Sequence, residues 1–207
     1  MLHLLLENTT GIKIMPVTVF LLWISYILST TLIRWIKENI MMITSKKQEA
    51  QELLQSILAQ STAEDEEVLL HLLTGIRDKQ TGVHSRYINA ALHMVGEFYR
   101  DYSIVRMPIT PVIHNTIKVP HGGILATIAD AAMGGLATRS LEDGKNVVTT
   151  NLNINYIATT TNKELIAKGY FVNKGRRMIV MECVIEDETG KKLATATASF
   201  FVIEPRK

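Results

Sequence analysis

One stretch of the chain collects residue types suited to chemistry at a carbonyl group. It reads Asn115, five residues, His121-Gly122-Gly123, six residues, then Asp130. A strand-like run, Asn151-Leu152-Asn153-Ile154-Asn155-Tyr156, follows. Gly122 and Gly123 fall where a loop becomes a helix. Backbone N–H groups at such a point have no intrahelical acceptor, and the positive end of the helix dipole stands behind them. They suit a carbonyl oxygen that gains negative charge on attack. Asn115 offers a side-chain amide N–H to the same oxygen. Glycine leaves room for an acyl group where a side chain would block its approach. A simple helix-start turn would carry the same two glycines, so the corner by itself is not diagnostic.

Asp130 stands two turns inside an apolar helix. A carboxylate there is costly unless it is paired, hydrogen-bonded or used. Its two chemical uses are as a general base that activates water or as a nucleophile that forms an anhydride with an acyl group. Both stay open, beside the plainer reading of a structural carboxylate capping a neighbouring loop. His121 is expected to fix the loop through hydrogen bonds in a supporting role. It has no triad partner pattern, and no Gly-x-Ser-x-Gly elbow occurs. Gly122 and Asp130 are eight residues apart, about 12 Å along a helix. One chain cannot easily bring both to one carbon. Two antiparallel copies of the helix from two chains can, which predicts paired sites at a two-fold interface of a homodimer or tetramer.

The elements that position these residues can be read from periodicity. Val95–Tyr99 and Ser103–Ile109 are candidate strands, with Pro108 and Pro111 making the second an edge or a strand end. Residues 124–138 form a helix rich in Ala and Gly and apolar on nearly all sides, hence buried. Four strand-like runs come next: Val147–Ile157, Leu165–Val172, Met178–Glu186 and Leu193–Val202. Val147–Ile157 alternates cleanly, with Leu152, Ile154 and Tyr156 on one face and three asparagines on the other. In the last run Ala194, Ala196 and Ala198 share one face, and Thr195, Thr197 and Ser199 the other. Strands, one helix, then antiparallel strands give an α+β fold with a helix packed on a sheet. Upstream, residues 45–60 and a segment after Ser61-Thr62 read as amphipathic helices. Ser61/Glu64 and Thr62/Asp65 are overlapping capping boxes for the second.

The set of Asn115, His121-Gly122-Gly123, Asp130 and the Asn151–Tyr156 strand resembles the phenylacetyl-CoA (PaaI-like) branch of the hotdog thioesterases, over roughly residues 87–203. The resemblance implies an antiparallel sheet wrapped around one long central helix, here with extra N-terminal helices. It implies hydrolysis of an acyl-CoA thioester to a free carboxylic acid and CoA. Thr149 aligns with a family hydroxyl that orients the attacking water, and its strand position lets it face Asp130. Gly123 and the turn Gly175-Arg176-Arg177 match positions that meet the substrate and its CoA nucleotide; guanidinium groups suit phosphates. No separate cofactor is implied, since CoA is part of the substrate. A non-catalytic acyl-CoA-binding regulatory protein on the same fold is the alternative. A hotdog hydratase is disfavoured, because its His/acid arrangement is not found.

Domain boundaries are expected at 1–40, an apolar segment; 41–84, a helical extension; and 85–207, the catalytic domain. No charge lies between Lys13 and Arg34. As a helix that run spans roughly 30 Å, the depth of a bilayer core. Residues 14–33 are therefore a candidate membrane anchor, and Arg34, Lys37, Lys46 and Lys47 behind it would leave the catalytic domain in the cytoplasm. The competing expectation is that translation starts near Met41, which opens a sequence already sufficient for the domain.

Composition excludes other classes. The chain has 207 residues, 47% hydrophobic and 20% charged, with a net charge of +2, so it is globular and not strongly basic. Residues 44–80 carry four basic and seven acidic side chains, the wrong sign for a nucleic-acid-binding head. Cys183 is the single cysteine, which rules out an internal disulfide and fits a reducing compartment. The six histidines show no metal-ligand spacing, so no metal is expected.

Overall fold

The computed structural model describes residues 6–7, 13–14, 17–142 and 144–204. The chain divides into two compact units, Met1–Ser61 and Thr62–Lys207.

In the first unit β1 (Leu6–Glu7) pairs antiparallel with β2 (Lys13–Ile14). Helix α1 follows over Val17–Leu58. No Gly or Pro interrupts it, so the helix expected at 45–60 is the end of a longer one. Among the described residues no helix is long and apolar enough to cross a membrane. This corrects the expectation of an anchor over 14–33. Hydroxyls at Ser25, Tyr26, Ser29, Thr30 and Thr31 dilute the apolar run, and Arg34 and Lys37 close it within the next turn. Ser29 and Thr30 fold their hydroxyls back onto carbonyls of the preceding turn, which satisfies them without making the surface apolar. Met15 and Pro16 lie outside the described residues.

The second unit opens with α2 (Ala63–Gln80). Of the two capping boxes, Thr62/Asp65 forms: the Asp65 N–H donates to Thr62 Oγ1 at 3.2 Å, and the Thr62 N–H donates to Asp65 Oδ2 at 2.9 Å. The Thr62 backbone and hydroxyl donors hold the Asp65 carboxyl below its ordinary value. Next come α3 (Tyr87–Ala91), β3 (Val95–Phe98) and β4 (Tyr102–Pro108). A single 3₁₀ turn, Pro111–Ile113, leads into the loop before α4 (Gly122–Arg139). Four strands complete the unit: β5 (Asn146–Tyr156), β6 (Glu164–Lys174), β7 (Met178–Asp187) and β8 (Lys192–Ile203). Gly75 sets how closely α2 meets α3. A Cβ there would stand 2.4 Å from the Ala90 carbonyl oxygen, inside van der Waals contact, so only glycine permits the approach. Helix α2 thus packs within the second unit, whose boundary falls at 61/62, while the sequence placed the division at 84/85. An apolar stripe shows that a helix buries a face but not against what.

Strands β3 to β8 form one antiparallel sheet in the order β3-β4-β6-β7-β8-β5. This is the α+β hotdog arrangement. Helix α4 lies across one face and carries the chain from β4 to β5, at the far edge. Strand β4 is interior, so Pro108 marks a strand end, not an edge. The core joins Leu125, Ile128, Met133 and Leu136 of α4 to Met107, Ile179, Met181 and Phe200 of the sheet. Each large side chain so buried contributes about 1.5–3 kcal/mol. The Ser103 hydroxyl, fully buried, donates to the Ala132 carbonyl at 2.8 Å and ties β4 to the helix. The opposite stripe of α4, at Ala126, Asp130, Ala131, Gly134 and Thr138, is only partly buried. The helix is therefore enclosed on one side, not all round as its composition suggests. Asp130 falls on that open stripe.

Candidate active site

Two clefts flank α4. The first, about 510 Å³, is lined by Asp130, Thr149, Phe98, Arg86, Arg139 and Phe200 among others. Asp130 reaches it because residue 130 falls on the open stripe of the helix. The carboxylate is half-buried, and the Thr149 hydroxyl donates to Asp130 Oδ1 at 2.8 Å. Thr149 gets there through a bulge: β5 and β8 pair Thr149 with Phe200 and then Asn151 with Ser199, which leaves Thr150 over. A bulge re-aims side chains on its strand. Oδ1 thus accepts this hydrogen bond, and among the described residues no donor reaches Oδ2. The Arg139 guanidinium stacks over the Phe98 ring at 3.8 Å and donates to the Gly135 carbonyl at 3.3 Å, giving this cleft an aromatic and cationic wall.

The second cleft, about 390 Å³, is lined by Asn115, Ile117, Gly122, Tyr156 and Ile157 among others, with no carboxylate in its wall. His121 is the N-cap of α4, and its Nδ1 accepts the Gly123 N–H at 3.0 Å. The corner therefore presents one free N–H, not two: among the described residues no acceptor takes the Gly122 N–H. Asn115 Oδ1 accepts from the Ile117 and Val119 N–H groups at 3.0 and 3.3 Å. This local turn fixes the amide plane and leaves the Nδ2 donors for the cleft. The Tyr156 hydroxyl donates to the Gly122 carbonyl at 2.9 Å. A Cβ on Gly122 would stand 3.1 Å from that ring, so the tyrosine packs closely against the glycine corner. Sequence reading placed Tyr156 in a motif without a role; its position opposite Gly122 comes from the fold.

Gly175, Arg176 and Arg177 make the β6–β7 turn, closed by a Gly175 N–H bond to the Met178 carbonyl at 2.9 Å. Both arginines are exposed, and neither cleft is lined by them. The turn lies toward the C-terminal end of α4, where the Lys174 ammonium donates to the Ser140 carbonyl at 2.7 Å. The structure therefore joins Asp130 to Thr149, joins Asn115, His121, Gly122 and Gly123 around one corner, and keeps these two groups and the arginine turn apart within a chain. Asp78, His84 and His93 come together at the rim of the Asp130 cleft, which His84 lines, with donor atoms within 4.8 Å of one another. Histidine spacing along the sequence does not disclose that cluster.

Residues 118–194 match the family model described as Thioesterase superfamily. A Bacillus halodurans protein solved with CoA is 32% identical, covers 73% of this chain and 99% of its own, and superposes with a TM-score of 0.68. A 1,4-dihydroxy-2-naphthoyl-CoA hydrolase of Listeria monocytogenes is 27% identical over 105 residues, 51% of this chain and 85% of that protein. A putative esterase of Saccharolobus solfataricus is 29% identical over 104 residues, 50% of this chain and 74% of that protein.

Proposed function

This chain belongs to the hotdog-fold thioesterase superfamily, and from that premise we propose that it is an acyl-CoA thioesterase whose sites are completed by two copies of the chain. The observation that carries the reading is the separation of the two clefts. Asp130 lines one and the Gly122 N–H lines the other, about 12 Å apart along α4. Neither is a whole site for acyl transfer. Pairing two copies through the open stripe of α4 sets Asp130 of one protomer against Gly122 of the partner subunit. The exposed outer edge of β5, 11 residues long, supports such a pairing, since a long open strand edge invites a second strand.

In this reading the thioester carbonyl accepts hydrogen bonds from the Gly122 N–H and from Asn115 Nδ2. His121 holds the corner rigid by taking the Gly123 N–H. Asp130 then acts at the carbonyl carbon as base or nucleophile. As a base it takes a proton from water while the hydroxide equivalent adds to carbon; the tetrahedral oxyanion collapses, the C–S bond breaks, and Asp130 returns its proton to the sulfur so that CoA leaves as the thiol. As a nucleophile it first forms an anhydride and expels the CoA thiolate, and water then cleaves the anhydride. The Thr149 hydroxyl holds Oδ1 and leaves Oδ2 directed at the reactant. Gly123 faces the acyl group, and Gly175, Arg176 and Arg177 meet the CoA phosphates. The relatives solved with CoA or acting on a CoA ester support this substrate class. A lone buried Cys183 fits the reducing cytoplasm, where we place the domain.

The test is a panel of aliphatic and aromatic acyl-CoAs with a thiol reagent that reports free CoA. Cys183 is buried, which pushes its thiol up to about 12, and a blank of protein alone is subtracted. Release of CoA with turnover of at least one ester supports the reading. Stoichiometric acyl-CoA binding without release supports the regulatory alternative instead.

A further inference from the structure

We propose that Asp78, His84 and His93 form a binding site for a divalent transition-metal ion, zinc foremost. The three come from separate pieces of backbone. Asp78 lies in the last turn of α2, His84 in the loop after it, and His93 just past α3. One donor atom from each lies within 4.8 Å of one from each of the others. Donors around a tetrahedral zinc at about 2.0–2.1 Å are about 3.4 Å apart, so closure on an ion needs a contraction of at most about 1.4 Å between donors, within reach of side-chain movement. Two imidazoles and a carboxylate select zinc, nickel, copper or iron over magnesium and calcium, which take all-oxygen sites.

The backbone brings these groups together by two left-handed turns. Gly82, at φ +84, folds the chain so that the His84 N–H reaches the Asp78 carbonyl at 3.2 Å. His93 has φ 47. The Met94 N–H bonds to the Asn89 carbonyl at 2.8 Å across it, the helix-ending bond of a Schellman motif. Glycine is the default residue there, because a Cβ in that conformation crowds the following carbonyl oxygen. A histidine at this position points to a use for its ring, since such strain gathers at functional sites.

The neighbours prepare the donors. His93 Nε2 lies 2.9 Å from the His71 carbonyl. A carbonyl only accepts, so Nε2 carries the hydrogen and Nδ1 is the ring nitrogen left to face an ion. A ligand histidine characteristically has this outer bond. Arg77 holds Asp78 Oδ1 through Nε at 3.3 Å and Nη2 at 3.2 Å, which orients the carboxylate. His71 stacks edge-on against His93 with centroids 4.2 Å apart. An ion here would pin the end of α2 to the end of α3, and His84 also lines the Asp130 cleft. This site is separate from the ester chemistry and stands or falls without it.

The experiment titrates the untagged full-length chain, stripped with chelator, with Zn²⁺ and with Co²⁺, and uses Mg²⁺ as control. The readouts are stoichiometry, the Co²⁺ d–d spectrum, and the difference in Tm with and without ion. One ion per chain is expected, with a Tm rise of about 5–10 °C at a Zn²⁺ concentration about 100 times Kd, and no response to Mg²⁺. His93→Gly suits the left-handed turn and removes the donor. It and His84→Ala should each weaken the ion by more than about 100-fold, the upper end of what loss of an outer-shell partner does. The readout is a difference within each variant, so a variant of altered base stability still answers. Binding absent at 100 times the chain concentration, or a Zn²⁺ shift unchanged in His93→Gly, overturns the proposal.

Discussion

The two clefts beside α4 differ in kind. The one at Asp130 has a carboxylate steadied by Thr149, with an aromatic and cationic wall. The one at Gly122 has donors and no acid: a free N–H at a helix start, an amide fixed by its own turn, and a tyrosine packed on the corner. Acyl transfer needs both kinds of group at one carbon. A helix of fixed rise keeps them apart within a chain, and the same rigidity would bring them together across a two-fold axis. On the proposed reading each cleft is half a site, and the difference between them is what a second copy would make good.

The sharpest way to break this comparison is to remove the acid. Asp130→Asn should lower kcat by about 10²–10⁴-fold, the span of a lost general base, with little change in Tm because the residue is half-buried on an open stripe. Equal slow CoA release by both proteins would take the base away from the first cleft. The matching change on the second cleft is Gly122→Pro. Proline is accepted at the first helical position and removes the N–H. His121, at φ −66 and ψ 136, already has the backbone that a following proline demands. Loss of one oxyanion donor should lower kcat by about 10²–10³-fold below Gly122→Ala, which adds the same Cβ beside Tyr156 and keeps the N–H. An unchanged kcat, with wild-type helicity by circular dichroism, would show that the corner is only a turn. Thr149→Val should have a smaller effect, roughly tenfold in kcat, the equivalent of ~1.4 kcal/mol. Tyr156→Phe keeps the ring over Gly122 and loses one exposed hydrogen bond of about 0.5–1.5 kcal/mol; kcat should fall by a few-fold at most, read in the same assay.

Much of this arrangement is legible in the residues. The alternation of Leu152, Ile154 and Tyr156 against three asparagines marks β5, because side chains alternate between the two faces of a sheet and this sheet is packed on one face only. Gly122 and Gly123 mark the start of α4, and Thr62 with Asp65 marks the start of α2. What stays hidden depends on partners distant in sequence. Periodicity cannot say that β5 crosses to the far edge of the sheet, nor that α2 docks on α3 through Gly75. The small-residue composition of α4 suggested burial all round, but only one stripe meets the sheet. His121 Nδ1 consumes one of the two corner N–H groups, a side-chain choice that spacing does not record. The apolar run before Arg34 matched a bilayer by length while its serines and threonines weakened it by composition. Asp78, His84 and His93 meet only because two left-handed turns fold them together.

The central claim is that a site takes its acid from one protomer and its donors from the other. Mixed dimers test it most directly. Asp130→Asn and Gly122→Pro chains, each nearly inactive alone, are co-expressed with different tags, refolded together in equal amounts and assayed for CoA release. Half of the dimers are then mixed, and each holds one intact site, so activity should recover to about a quarter of wild type per chain. Activity that stays at the average of the two parents would contradict the account, because a site built within one chain is never repaired by a neighbour.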